Sequence, residues 1–336
     1  MPRSRRQDAR RFQQFGHTEL SISTKSNVIA RRLIQAVPVI VLATFIVFAL
    51  LKLVPGDVAV TLAGDNASDA RIAEIRHLYG LDRPFFVQYG AWLWKAAHSD
   101  LSTSLISNEA VLSSIARCFP HTLLIVMLAM VISLVIGIPL GVAAASREGS
   151  WLDDAIMTVS SLGVAVPNFW LGMLLVALFA LDLNWLPATG AVPLKENVRG
   201  ALSHAILPAC ALAAGGVAEV TRQLRSSLVE ILSSQQVRTL HAKGLSPSAI
   251  LWRHGLKNVS VNLLTVISLL FNRLLAATVV VEAVFAIPGM GSLIVNAAIH
   301  RDFPVVQGVV FAMVLVVVVL NLVTDILYNV LDPRIA

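Results

Sequence analysis

Four cationic side chains lie in a short segment between two long apolar runs, at Arg238, Lys243, Arg253 and Lys257. The chemistry that they offer is reversible binding, because a rigid cationic helix with a few apolar anchors fits a groove on a soluble partner. The same charge is also typical of any inner loop of a membrane protein, whose apolar residues pack only against the ends of the spans. On the residues of this segment alone, both interpretations stay open.

The local sequence predicts two short helices in this segment. Residues 238–243 favour a first helix, which Gly244 ends because a left-handed backbone costs a glycine nothing. Ser246 then offers a side-chain acceptor to the amides of a new helix, and Pro247 suits its first position. A second helix is therefore predicted over residues 248–255.

Two further charged residues interrupt a later apolar run, at Arg273 and Glu282. Counting outward from Asn258 at about 1.5 Å per residue places Arg273 roughly 22 Å along a helix and Glu282 near its outer end. An arginine near the middle of a membrane costs on the order of 3 kcal/mol unless a partner faces it. Both residues are therefore candidates for a functional role if this run forms a transmembrane helix, with a structural role as the alternative for Glu282.

Catalytic patterns are missing from the sequence. It holds no H-E-x-x-H, no G-x-S-x-G and no histidine pair at ligand spacing, and the eight histidines are scattered. Cys118 and Cys210 have no paired spacing and are interpreted as small buried residues. We therefore expect no catalytic residue, no metal ligand and no enzyme activity in this chain.

The composition is that of an all-α integral membrane protein. Hydrophobic residues make up 56% of the chain and charged residues 14%, whereas charged residues are about a quarter of a soluble domain. Apolar windows long enough to span a bilayer predict six transmembrane helices. They lie near residues 33–51, 122–145, 155–181, 200–224, 259–288 and 303–324.

Basic residues predict that both termini are cytoplasmic, because Lys and Arg are retained on that side. This orientation places sixteen of the 26 Lys and Arg residues in the inner segments. The topology explains the net charge of +6, so nucleic acid is not an expected partner. The first apolar run is longer than the core of a signal peptide and no cleavage site follows it, which favours an uncleaved first helix.

The chain divides into four parts in this interpretation. A basic tail (1–32) is expected to contact anionic lipid, and a first span (33–54) follows it. Residues 55–120 form an extracytoplasmic segment with two predicted helices, one capped by Ser68 and one starting at Pro84. Its aromatic residues anchor the segment at the membrane interface or contact a partner. Residues 121–335 hold the other five spans and the basic loop (226–258). Gly137-Ile138-Pro139 and Val166-Pro167 are predicted to break the second and third of the six spans.

The basic loop resembles the coupling-helix region of bacterial ABC-transporter permeases, in the branch that imports dipeptides, oligopeptides and nickel. The matching residues are Arg238-Thr239-Leu240-His241-Ala242-Lys243-Gly244-Leu245 and Arg253-His254-Gly255-Leu256-Lys257-Asn258. Further stretches agree with the same branch, in order along residues 31–335: L-V-P-G-D (53–57), Y-G-L-D-R-P (79–84), S-W-L-D (150–153), P-N-F-W-L-G (167–172), W-L-P-A-T-G (185–190), E-A-V-F (282–285), R-D-F-P (301–304) and L-D-P-R-I (331–335).

The sequence departs from that pattern at a few positions. Arg238 stands where the general motif has an acidic residue, as in the peptide branch, and Leu240 and His241 replace a small and a basic residue. These differences concern the fine geometry of ATPase docking. Asn262 stands in place of a proline and Arg273 in place of a small residue, and the latter difference concerns the substrate.

The resemblance implies a complex in the bacterial inner membrane. Its other members are a second homologous permease subunit, two cytoplasmic ABC ATPases and a periplasmic substrate-binding protein. ATP and Mg²⁺ are expected on the ATPases alone, since this sequence holds no G-x-x-x-x-G-K-[ST] phosphate loop. Residues 238–244 are then expected to sit in a cleft of one ATPase and to rock the spans between inward-open and outward-open states.

The resemblance also bears on the substrate. Peptides are the expected cargo, with nickel or another small solute as the alternative. An ATPase-independent carrier is a further alternative, but the inverted repeats that it would show are not detectable in the sequence. For a transporter, the resemblance implies that Arg273 and Glu282 belong to a translocation path or gate, with a structural role as the alternative for Glu282. The partner of Arg273 is then either a group of the protein, such as an acidic residue of the second permease, or the C-terminal carboxylate of a peptide in transit.

Overall fold

The computed structural model describes residues 32, 34–53, 58–63, 67–78 and 80–331, and its regular elements are helices. They are α1 (Ile34–Leu53), α2 (Val58–Ala63), α3 (Asp69–Leu78), α4 (Phe85–Ala97), α5 (Val111–Ser146), α6 (Trp151–Ala165), α7 (Asn168–Leu175), α8 (Val198–Leu232), α9 (Gln235–Ala242), α10 (Pro247–Ala249), α11 (Leu256–Val284), α12 (Met290–Ile299) and α13 (Phe303–Leu331). π-Helical turns extend α7 (Val176–Asp182) and join α10 to α11 (Ile250–Gly255). The predicted basic tail lies outside the described residues except for Arg32.

The described helices account for the six predicted spans. Five are long and apolar enough to cross a membrane: α1, α5, α8, the continuous helix Pro247–Val284, and α13. The predicted third span is a pair of helices, α6 and α7 with its π-helical extension, bent by 95°. The predicted number of spans is confirmed when this pair counts as one.

The bend between α6 and α7 has a local cause at Pro167. A proline disfavours helical backbone in the residue before it, and Val166 is extended at φ −83° and ψ 123°. The break predicted at this place is confirmed. A second break, predicted at Gly137 and Pro139, is wrong, because α5 runs unbroken through both residues.

Close packing against α8 holds α5 in line at that point. A Cβ atom on Gly137 would lie 2.9 Å from Cβ of Val220, and one on Gly141 would lie 3.0 Å from the Thr221 carbonyl oxygen. Glycine therefore lets the two long helices approach backbone to backbone, as small residues do between membrane helices. The largest buried apolar cluster lies between α5, α8 and α11.

The predicted outer segment packs against α1 and α13. Tyr89 of α4 donates a hydrogen bond to the Val41 carbonyl (2.8 Å), and the ring of Trp92 meets Phe311 edge-on at 6.0 Å. These aromatic residues therefore contact the spans themselves, while Trp94 remains 70% exposed. Helix α5 begins at Val111, ten residues inside the segment predicted to lie outside the membrane.

The start of α13 is tied to the same outer segment. Asp302 is 4% exposed and accepts hydrogen bonds from the Ser104 hydroxyl (2.5 Å) and the Leu105 amide (3.1 Å). A buried carboxylate is stable only when its oxygens are satisfied in this way. The two bonds fix the loop after α4 to the entry of the last span.

Candidate functional site

Helix α9 forms as the sequence predicts, with a capping residue at each end. Ser234 accepts a hydrogen bond from the Val237 amide at its start. At its end Gly244 adopts φ +79°, its amide donates to the His241 carbonyl (2.9 Å), and the Leu245 amide donates to the Leu240 carbonyl (3.2 Å). This is the double hydrogen bond of a Schellman turn, which favours glycine at this position. The predicted helix and turn are confirmed.

The outer face of α9 is exposed and cationic. Val237 is 3% exposed and anchors the helix, and Leu240 is half-buried. The exposed residues are Arg238, Thr239, His241, Ala242, Lys243 and Gly244. Within the described part of the chain, neither Arg238 nor Lys243 forms an ion pair. The predicted coupling residues are therefore presented together on one accessible turn and a half of helix.

The helix after the turn differs from the prediction. Ser246 caps it by accepting from the Ala249 amide (3.3 Å), and Pro247 occupies its first turn as expected. It does not end at Gly255, because the π-helical turn leads directly into α11. The result is one helix over Pro247–Val284. A displacement of the turn at Gly244 would thus pass straight into the span.

A buried ion pair closes the same end of the bundle. The guanidinium of Arg225 donates from two nitrogens to the two carboxylate oxygens of Asp153, both at 2.6 Å. The Gly149 amide donates to the same carboxylate (3.1 Å), and the Asp153 side chain is 2% exposed. Bidentate pairing of this kind fixes geometry as well as charge. It joins α6 to α8 about two turns of helix before α8 ends at Leu232.

Arg273 has a partner within its own chain. Its Nη1 lies 2.7 Å from Oε2 of Glu219 on α8. The expectation that protein supplies a partner is confirmed by Glu219 of the same chain, and a partner on a second permease stays a prediction. The Arg273 side chain is nevertheless 63% exposed, against 17% for Glu219. The pair therefore lies at the surface of the described bundle.

Glu282 lies at a junction of three helices and is 0% exposed. Its carboxylate accepts from the Thr122 hydroxyl of α5 (2.6 Å) and from the Ser292 amide at the start of α12 (3.0 Å). Thr122 in turn accepts from the Met290 amide (2.8 Å). An acidic side chain suits this place because a helix start presents unpaired amides and partial positive charge. These contacts favour the structural alternative for Glu282 and leave its gate role a prediction.

Two glycines make room for that carboxylate. A Cβ atom on Gly289 would lie 2.3 Å from Cδ of Glu282, and one on Gly291 would lie 2.4 Å from Cα of Val279. Both distances are far below ordinary contact. The close approach of α12 to α11 therefore depends on the absence of side chains at these two positions.

Sequence reasoning missed Asp153, Arg225 and Glu219 as parts of the site. The signal for Glu219 was present, since two charges of opposite sign each interrupt an apolar run. The signal for Asp153 was a carboxylate in the capped start of a helix, which is common without any long-range partner. Only the packing of α6 and α11 on α8 brings these pairs together.

The fold and these contacts define a multi-pass membrane protein with an exposed cationic helix between its fourth and fifth spans. Residues 137–336 match the family described as binding-protein-dependent transport system inner membrane component. Residues 26–126 match the family of the N-terminal part of such membrane components. The chain belongs to this family of inner membrane permease components, and it is a multi-pass protein of the inner membrane.

Named relatives align with nearly the whole chain. A putative peptide transport system permease protein of Brucella abortus is 40% identical over 308 residues, which cover 92% of this chain and 98% of that protein. The oligopeptide transport system permease protein AppB of Bacillus subtilis is 35% identical over 310 residues, covering 91% and 98%. The di/tripeptide transport system permease protein DppB of Pseudomonas aeruginosa is 36% identical over 328 residues, again covering 91% and 98%.

Solved structures show the same fold. A chain from the MetNI methionine ABC transporter, solved in an inward-facing conformation, aligns with a TM-score of 0.54 and 16% identity. The alignment covers 65% of this chain and 96% of that chain. At this identity the likeness concerns the fold alone.

Proposed function

We propose that this chain is the permease subunit of an ATP-driven importer of short peptides, which a substrate-binding protein delivers to it. The observation that carries the proposal is the set of relatives named as peptide, oligopeptide and di/tripeptide permeases at 35–40% identity over more than 90% of the chain. The family description itself refers to dependence on a binding protein. Nickel or another small solute is the alternative cargo.

The energy for transport comes, in this proposal, from two cytoplasmic ATPases that hold ATP and Mg²⁺. Helix α9 supports this assignment, because it presents Arg238 and Lys243 on an exposed turn of defined shape. A preformed helix of this kind docks into a cleft with little loss of conformational entropy. The turn at Gly244 then passes the movement of the ATPase into the continuous helix Pro247–Val284. The chain itself carries out no hydrolysis.

The transport path lies, in this proposal, between this chain and a second homologous permease. One face of α11 supports the assignment, since its exposed positions recur every three or four residues and include polar and charged side chains. These positions are Asn262, Thr265, Leu269, Arg273, Ala276 and Val280. Polar side chains within spans face protein or a water-filled cavity and not lipid.

Uptake into proteoliposomes tests the proposed function. The vesicles hold this chain with its partner permease and the ATPases of the same transport system, and the binding protein and a radiolabelled tripeptide are supplied outside. We expect accumulation that requires both ATP and the binding protein and that unlabelled peptide abolishes. Accumulation of ⁶³Ni²⁺ in place of peptide would establish the alternative cargo, and uptake without ATP would establish an autonomous carrier.

A further inference from the structure

Two opposite charges meet in the middle of the fourth and fifth spans. Arg273 lies roughly 25 Å along α11 from Leu256, and Glu219 lies roughly 20 Å before Leu232, the last residue of α8. The distance of 2.7 Å between Nη1 and Oε2 brings them into direct contact. An ion pair at this depth is costly to place in a membrane and is typical of a substrate or ion path.

The two partners are buried to very different degrees. Glu219 is 17% exposed, so its carboxylate is mostly enclosed by the bundle, whereas Arg273 is 63% exposed. A guanidinium has five N–H donors in a fixed planar fork, and Nη1 of Arg273 lies 2.7 Å from Oε2 of Glu219. The exposed remainder of the group is accessible to a second carboxylate, which can compete with Glu219 for the guanidinium.

The surroundings of Arg273 fit a path for a polar solute. Asn262 and Thr265 lie on the same exposed face of α11, toward the end of the helix that α9 adjoins. Beyond Arg273 that face continues with the small residue Ala276 and then Val280. Leu269 separates Arg273 from Thr265 on this face, so the arginine lies between apolar neighbours, with polar side chains further along toward α9.

We propose that Arg273 binds the C-terminal carboxylate of a peptide in transit, and that Glu219 holds the guanidinium in place when no peptide is present. The inference rests on the proposed function and identifies the C-terminal carboxylate as the chemical feature of the cargo that this chain recognises. Because Glu219 offers a competing carboxylate, the peptide carboxylate replaces one carboxylate contact of the guanidinium with another of the same kind. A transport site needs such balance, since the cargo must be able to leave as well as enter.

The test compares a tripeptide with a free C-terminal carboxylate and the same tripeptide as its C-terminal amide. Uptake kinetics are measured in the proteoliposomes for the wild type, Arg273→Met, Glu219→Gln and the double variant Arg273→Met/Glu219→Gln. Arg199→Met is the control, because Arg199 is an exposed arginine at the far end of α8. Each variant is compared with the wild type separately for each peptide. Any preference of the binding protein for one peptide is the same in both measurements and does not affect the comparison.

We expect Arg273→Met to raise the KM for the free acid about tenfold, the effect of losing one charge-assisted hydrogen bond, and to leave the KM for the amide unchanged. The double variant is expected to behave likewise, even if the single variant folds poorly. Glu219→Gln and Arg199→Met should keep the wild-type preference for the free acid.

Two results would overturn the inference, and they differ in what else they reject. Equal changes for both peptides in Arg273→Met and in the double variant would assign the ion pair a purely structural role, while the proposed function stands. If the wild type accumulates neither peptide, both the inference and the proposed function are wrong.

Discussion

Replacing residues 238–243 with a Gly/Ser segment of equal length is expected to reduce ATP-driven peptide uptake to the level measured without ATP. The replacement removes the cationic helix face and, at the same time, the rigid turn that leads to α10 and α11. A Gly/Ser segment behaves as a flexible coil and cannot transmit a displacement. Uptake of a labelled tripeptide into proteoliposomes with and without ATP measures the effect.

The span bundle should survive this replacement, because the buried anchor of α9 is Val237, which lies outside the exchanged segment. A matched control replaces residues 194–196, another exposed segment, with Gly-Ser-Gly. That variant should transport like the wild type. Undiminished ATP-driven uptake in the 238–243 variant would show that α9 is only a basic inner loop.

Removing the carboxylate of Glu282 is expected to destabilise the fold more than any other single change discussed above. In Glu282→Ala the buried Thr122 hydroxyl and the half-buried Ser292 amide lose their acceptor, at about 1–3 kcal/mol for each unsatisfied group. Glu282→Gln retains one carbonyl oxygen and should cost roughly half as much as Glu282→Ala. The unfolding midpoint of the purified permease in detergent should therefore fall in the order wild type, Glu282→Gln, Glu282→Ala.

A glycine substitution tests the same junction without any change of charge. Gly291→Ala places a methyl group 2.4 Å from Cα of Val279, and overpacking of this kind costs about 1–3 kcal/mol. Gly215→Ala is the matched control, because the nearest atoms to its new methyl group are 4.0 Å away.

One outcome would contradict the structural role of Glu282. If Glu282→Gln leaves the unfolding midpoint unchanged and alters uptake alone, Glu282 is a gate residue and its role is not structural.

Local sequence was sufficient to predict the elements that depend on local chemistry. The apolar runs predicted the six spans, Gly244 the end of α9, Ser246 the cap of the next helix, and Pro167 the break in the third span. Each of these features follows from the conformational preference of one residue or from the mean hydropathy of one window.

Features that depend on contact between distant segments could not be predicted in the same way. The partner of Arg273 is 54 positions away at Glu219, and the partner of Arg225 is 72 positions away at Asp153. Pro139 suggested a break that the packing of α8 on Gly137 prevents. The continuity of α10 with α11 was hidden because Gly255 is a common helix end, and here Leu228 and Leu232 lie close against it within the bundle.

A pull-down tests the central claim, that α9 couples this permease to an ATPase. The tagged wild type and the 238–243 Gly/Ser variant are each purified from detergent-solubilised membranes, and the proteins recovered with them are identified. We predict that a pair of ATPase subunits is recovered with the wild type and is missing from the variant. Equal recovery with both, or no ATPase with either, would contradict the claim. Residues 238–243 would then be interpreted as part of an ordinary basic loop.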